Sequence, residues 1–226
     1  MNKPVSVAYM ATGVLFCVCL ILANLLEVKL IEFGPIQTTG GILVFPITYI
    51  LNDCIAEVWG YRKARFMIWS GFAMNFFVVA IAQLAIWLPP ASYFEHQEAF
   101  ATIFGAAPRI AFASFTAFLV GSFLNAYVMS KMKVATQGKN FGLRAVLSTL
   151  AGESADSFIF FPIAFAGIVP SKDLLIMIIT QAVLKTAYEI IALPVTKRVI
   201  KKVKKWDGSD VFDKNITYNV FKINDL

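Results

Sequence analysis

Charge is scarce in this chain. Only 15% of its 226 residues are Asp, Glu, Lys or Arg, against about 25% in a soluble globular domain. Histidine occurs once and cysteine three times. His96 lies between Glu95 and Glu98 in a polar stretch and reads as a solvated surface residue. With that one histidine, no Ser–His nucleophile pair can form in a span. Cys17, Cys19 and Cys54 have no CxxC spacing and apolar neighbours, so they read as small buried side chains, not as disulfide or metal partners. No metal and no cofactor is expected. What the chain has is apolar surface: 58% hydrophobic residues, 21 Phe and a mean hydropathy of +0.71. This excludes a disordered chain, a nucleic-acid-binding tail and an ordinary cytosolic enzyme. It fits an integral membrane protein of several helices.

Hydropathy predicts six spans, near 5–26, 41–59, 66–88, 109–130, 145–169 and 174–196. About 20 helical residues cross about 30 Å of hydrocarbon. The first span is too long for a signal-peptide core and no small-x-small cleavage site follows it, so it reads as a retained helix. With the N-terminus in the cytoplasm, sixteen of the 20 Lys and Arg fall inside. Lys29, Arg109 and Lys172 fall outside, and Lys185 lies within a span. That bias predicts six helices with both ends in the cytoplasm. Residues 1–205 form one transmembrane domain. Residues 206–226 read as a polar cytoplasmic tail, a short solvated extension. The run KRVIKKVKK at 197–205 reads as a stop-transfer anchor against anionic lipid.

The informative residues are those that the bilayer penalises, at about 2.5–3.5 kcal/mol for a charge at a helix centre. The second span holds Asn52, Asp53 and Glu57, the fifth Glu153, Ser154, Asp156 and Ser157, and the sixth Gln181, Lys185 and Glu189. Asn24, Asn75 and Asn125 lie in the first, third and fourth. Asp53 and Glu57 are four apart and Glu153 and Asp156 three apart, so each pair shares a helix face. Lys185 and Glu189 could pair within their own helix. A single Asn in a span often serves as helix–helix glue. Four carboxylates in two spans exceed what one Lys can neutralise, which points to a functional cavity. The second span opens on Gly40-Gly41 and contains Pro46, and the fifth carries AGESADS at 151–157. Both read as interrupted helices, which are tolerated at depth only under a cover of protein or water.

The halves also match. Asn24 pairs with Asn125 at an offset of 101, Asp53 with Glu153 at 100 and Glu57 with Asp156 at 99. A three-span unit reverses the chain direction, so the second copy would be inverted, as in secondary transporters with midplane sites. The fold expected is an all-α membrane protein of six transmembrane helices in a 3+3 inverted repeat. A site of carboxylates and amides, walled by aromatic rings such as Phe45, Phe158, Phe160 and Phe161, suits a planar nitrogen-rich ligand. The N1–H and 2-amino edge of a guanine-like heterocycle offers two donors to one carboxylate. The expected substrate-binding residues are Asn24, Asp53, Glu57, Asn125, Glu153, Asp156, Gln181, Lys185 and Glu189.

Three stretches carry a resemblance: GGILVFPITYILNDCIAEVWGYRKAR at 40–65, GESADSFIFFPIAF at 152–165 and KTAYEIIALPVTKRVIKKVKK at 185–205. They resemble the queuosine precursor transporter family, also called the vitamin uptake transporter family. The resemblance runs from about residue 10 to 205. It implies a six-helix inner-membrane importer of 7-deazaguanine precursors of queuosine, such as queuine, preQ0 or preQ1. It also implies site positions Asn24, Asp53, Glu57, Glu153, Asp156, Lys185 and Glu189. In that reading Asp53 or Glu153 holds the base edge, and Glu57 or Asp156 neutralises a positive substituent or carries a coupling proton.

Other readings compete. The substrate-binding subunit of an energy-coupling-factor vitamin importer is also a six-helix protein of this size. It needs small residues on one helix for its partner, and Ala8 and Ala11 are not four apart. An intramembrane enzyme would need flanking motifs that are missing, and no enzymatic activity is expected. A channel would need oligomeric symmetry. The partners expected are a nucleobase-like small molecule and membrane lipid, not nucleic acid. The sequence leaves a homodimer open.

Overall fold

The structure is a computed structural model that describes residues 6–26, 29–33, 36–105, 108–167 and 170–222. Lys3, one of the cations placed inside above, lies outside the described residues. Among these residues, seven α-helices follow in order: α1 Val7–Leu26, α2 Phe45–Trp59, α3 Tyr61–Trp87, α4 Gln97–Phe104, α5 Pro108–Ala135, α6 Phe141–Phe165 and α7 Ser171–Asp207. Between α1 and α2 lie two short antiparallel strands, β1 Leu30–Phe33 and β2 Ile36–Thr39, with Leu30 opposite Thr39. A 3-10 turn at Gly40–Leu43 then leads into α2. Among the described residues, four helices are long and apolar enough to cross a membrane: α1, α3, α5 from Phe112 and α7 from Leu174. Their outer faces carry exposed Val14, Val18, Phe76, Phe77, Ile179 and Ile191, apolar surface of the kind that lipid covers.

Of the two polar helices, α2 sits inside this shell, whereas α6 turns one face inward and leaves Leu143, Leu147 and Phe158 exposed on the other. α2 is only 15 residues long, about 22 Å at 1.5 Å per residue. It touches α1, α3, α5 and α7, and every residue from Asn52 to Trp59 is buried. Pro46 stands in its first turn, where a missing N–H costs nothing. α6 packs against α5 and α7. A close approach of α5 and α6 runs through two glycines. A Cβ on Gly152 of α6 would stand 2.8 Å from the carbonyl oxygen of Gly121 on α5, and one on Gly121 would stand 2.9 Å from that of Gly152. Small residues let helix backbones meet in this way.

Three expectations change. The fifth span is not interrupted: α6 runs unbroken from Phe141 to Phe165 through AGESADS. Ala, Glu and Ser are tolerated inside helices, and their polar side chains hang on one face while the backbone ladder continues. The second span is broken only at its start, at Val44 between the 3-10 turn and α2. The tail also differs from a solvated extension. Asp213 accepts hydrogen bonds from the Tyr61 backbone N–H (2.8 Å) and from the Ser130 hydroxyl. Arg65 donates to the carbonyl of Asn219 (2.7 Å), and Trp69 Nε1 to that of Val220 (2.8 Å). Ile216, Tyr218 and Val220 pack on the core. Apolar side chains, Asp213 and, through Lys133, Asp210 hold the segment against the ends of α3 and α5.

Candidate functional site

The inward-facing polar residues form two groups. The first gathers side chains from α2, α6 and α7. Asp53, Glu153, Asp156 and Glu189 are all buried. The Lys185 ammonium lies 2.9 Å from Glu153 and 3.3 Å from Asp156, and 4.0 Å above the centre of the Phe45 ring. Asp53 takes long contacts of 3.4 and 3.5 Å from the Ser148 hydroxyl and faces the Asn125 amide. Asn52 Nδ2 donates to Asn125 Oδ1 (2.9 Å) and to the Ser122 carbonyl (3.1 Å), which ties α2 to α5. Neither oxygen of Glu189 has a hydrogen-bond partner among the described residues. Four carboxylates thus face one ammonium. Such a centre accepts hydrogen bonds from N–H groups and attracts positive charge.

The Lys185–Glu189 pairing within one helix is not what forms. Lys185 reaches across to α6 instead, because the acidic face of that helix is opposite. Phe45 is buried with Tyr49 beside it, ring centres 5.6 Å apart. Phe158 is 58% exposed and faces outward, while Phe161 is buried against Phe165 and Phe160.

The second group surrounds Glu57, one turn further along α2. Arg144 of α6 grips its carboxylate through both terminal nitrogens. Lys204 of α7 lies 2.7 Å from Oε1 and Lys133 of α5 lies 3.8 Å from it. Lys133 also donates to the Glu57 carbonyl. Asp210 in the tail bridges Lys133 (2.5 Å) and Lys204 (2.8 Å). Burial pushes the Asp210 carboxyl up, but hydrogen bonds from Lys133 and Lys204 outweigh it and hold the group below its ordinary value. Glu57 therefore stands apart from the first group, with its oxygens taken by cations. Asn24 also lies apart: it accepts from the Ser114 hydroxyl (3.0 Å) and donates to the Leu20 carbonyl (3.2 Å), a helix–helix tie between α1 and α5. Gln181 is half-buried, one turn before Lys185 on α7.

A surface groove of about 490 Å³ lies elsewhere, between α3, α5 and the tail. Tyr61, Trp69, Leu119, Phe123, Tyr127 and Phe221 line it, and none of the first group's residues reaches it. Its walls suit apolar matter.

A model of the family described as "Putative vitamin uptake transporter" matches residues 39–199. The chain belongs to this family. Similar relatives include a "Probable queuosine precursor transporter" from Bacillus subtilis (strain 168), 32% identical over 76% of this chain and 76% of the relative. The "Queuosine precursor transporter" of Escherichia coli (strain K12) is 29% identical over 57% of this chain and 56% of the relative. A Haemophilus influenzae (strain ATCC 51907 / DSM 11121 / KW20 / Rd) relative with the same description as the Bacillus protein is 30% identical over 57% and 52%. The chain thus spans three quarters of the first relative and a little over half of the other two. No solved structure matches it. The family match covers every residue of both polar groups that belongs to a helix except Lys204. Asn24 and the folded tail lie outside it.

Sequence reasoning missed three partners of Glu57. Arg144, Lys133 and Lys204 were counted as charges of cytoplasmic loops. Each lies near a helix end, so only their pairing in space separates them from ordinary flanking cations. Tyr49 and Thr149 were missed as well, and Ser157 was noted as a polar residue of its span but not as a site residue. Their signal was spacing: Tyr49 is four before Asp53, and Thr149 and Ser157 are four either side of Glu153.

Proposed function

We propose that this protein imports queuosine precursors, 7-deazaguanines such as queuine, preQ0 or preQ1, across the cell inner membrane for salvage into tRNA. The observation that carries the reading is the buried centre of Asp53, Glu153, Asp156 and Glu189 with Lys185. Burying so much charge opposes insertion and stability, so a bound ligand is the physical reason to retain it. The names of the relatives supply the substrate class, and the N–H-rich edge of a deazaguanine complements carboxylates. Asn125 and Gln181 would supply amide contacts, and Asn24 would hold the helices that frame them. Glu57 would hold the cytoplasmic end of the bundle closed.

In this proposal α1, α2, α3, α5, α6 and α7 all cross the membrane, with both termini in the cytoplasm. Helices α1–α3 and α5–α7 are the two inverted copies. They rock about the central site in alternating access, and residues 1–205 act as one transmembrane unit. The protein acts as a carrier, not as an enzyme.

The test is uptake by the purified protein alone in liposomes, with labelled queuine, preQ0 and preQ1, with and without a pH gradient. Saturable uptake that falls at least about 100-fold in Asp53→Asn and Glu153→Gln supports the reading. Binding without uptake would favour a partner-dependent binding subunit. Absence of both would sink the substrate assignment.

A further inference from the structure

Three hydroxyl groups border the polar centre and have no hydrogen-bond partner among the described residues: Tyr49 on α2, and Thr149 and Ser157 on α6. They are 2%, 1% and 1% exposed. Helical Ser and Thr side chains usually satisfy themselves on a carbonyl of the preceding turn. Thr186 and Thr196 do so at 2.7 and 3.1 Å, and Thr48 and Ser148 do so at 2.6 and 2.9 Å. Thr149 and Ser157 do not. Together with Glu153 they repeat every four residues, one stripe on α6. Tyr49 stands one turn before Asp53 and within electrostatic range of Glu153, Asp156 and Asp53. Its ring fits against the hydrogen-only face of Gly152, where a Cβ would stand 3.0 Å from Cε1. Its hydroxyl reaches Gly121, where a Cβ would stand 2.7 Å away. Two glycines therefore make room for a hydroxyl that no described residue uses.

Ionised carboxylates only accept hydrogen bonds, whereas hydroxyls donate. The centre so far described can read N–H groups on a ligand but has few donors for a ligand oxygen. We propose that Tyr49, with Thr149 and Ser157, determines specificity by donating to a ring carbonyl of the substrate. The inference rests on the transport reading above and deepens it. The site takes a lactam heterocycle, with a carbonyl beside its N–H edge, and discriminates against a ring that carries an amino group in the carbonyl's place. Hydroxyls can accept as well as donate, but a ring with an amino group there has a bare nitrogen in place of the lactam N–H, and that lone pair would face a carboxylate. The analogue therefore cannot settle against the hydroxyls, and buried groups left unpaired in this way are where binding sites discriminate most strongly.

The experiment compares competition by 7-deazaguanine and 7-deazaadenine against labelled preQ1 binding, for wild type, Tyr49→Phe, Thr149→Val and Ser157→Ala in detergent. Tyr49→Phe keeps the ring and its packing, and an unchanged Tm shows that the fold is intact. Wild type is expected to favour the lactam by at least about 10-fold. Tyr49→Phe is expected to weaken the lactam about 10-fold and to leave the amino analogue where it was, which narrows the gap. If Tyr49→Phe does not fold, Thr149→Val and Ser157→Ala carry the same comparison. Wild-type selectivity in all folded variants, or an equal loss for both competitors, overturns the proposal. A wild type that binds no precursor at all refutes the transport reading itself, which is a separate outcome.

Discussion

Lys185 on α7 and Glu153 on α6 form an ion pair of 2.9 Å deep in the bundle, with side chains 12% and 1% exposed. Removing one partner of a buried pair leaves an uncompensated charge and costs about 3–5 kcal/mol, whereas removing both together costs far less. Lys185→Met alone should therefore lower stability by about that amount. The double variant Lys185→Met/Glu153→Gln should regain most of it without regaining uptake. Thermal unfolding of the two variants, read beside substrate uptake, checks the pair. Equal destabilisation by the single and the double variant would count against it.

The long apolar helices α1, α3, α5 and α7 were legible as spans, because apolar runs of about 20 residues are the strongest signal a membrane sequence holds. The burial of Asp53, Glu153 and Asp156 was legible too, since lipid leaves charged groups nowhere else to go. What was not legible was pairing. Glu57 meets Lys204 across 147 residues, and Lys204 belongs to a basic run that reads equally well as a lipid anchor. Lys185 had a carboxylate four residues away in Glu189, and only the packing of α6 against α7 shows that it turns elsewhere. The drop in hydropathy at AGESADS was mistaken for a break in the helix, because polarity and loss of helix are indistinguishable in a hydropathy profile. The tail's polar composition concealed the alternation of Ile216, Tyr218 and Val220 toward the core.

Gly121 and Gly152 bring α5 and α6 together beside the polar centre. A methyl group on either meets backbone carbonyl oxygen at under 3.0 Å, which a flexible side chain could not relieve. Gly121→Ala should cost about 1–3 kcal/mol, the range for overpacking. It should also weaken substrate binding, because the new methyl would stand 2.7 Å from the Tyr49 hydroxyl. Thermal melts and a binding isotherm on the same preparation test both effects. Unchanged melting would show that the helices can separate without penalty.

The tail is fastened by Asp213 at the start of α3. The first N–H groups of a helix have no partner within it, and Asp213 supplies one to Tyr61 from 152 residues away. Gly60, between α2 and α3, has φ +83° and no room for a side chain beside Asp213. Asp213→Ala should cost about 0.5–2 kcal/mol, as for loss of a helix cap, and should speed proteolysis after residue 208. Asp210 adds a pH dependence. Its folded value is held below the ordinary one, so its contribution is full above about pH 3.9 and fades as the pH falls through the folded value. Tail cleavage by an acid-stable protease should therefore stay slow at neutral pH and accelerate only in that acidic window.

Glu57 and Asp53 share a face of α2 yet should fail in different ways when altered. Glu57 is 2% exposed and is held by Arg144 and Lys204, with Lys133 at 3.8 Å. Arg144 and Lys133 are themselves almost fully buried. Glu57→Gln keeps the shape and removes the charge that balances them, so it should destabilise the protein by about 3–5 kcal/mol. The protein that remains folded should still bind preQ1 with nearly the wild-type Kd, because no Glu57 oxygen faces the first polar group. Asp53 has only long contacts from Ser148 and the neighbouring Asn125 amide. Asp53→Asn relieves a buried charge, so its melting temperature should hold or rise, while its affinity should fall at least about 10-fold. Melting and affinity measured on both variants separate the roles. If Glu57→Gln lost affinity at unchanged stability, Glu57 would belong with the substrate after all, and the ion cluster would be part of the binding site.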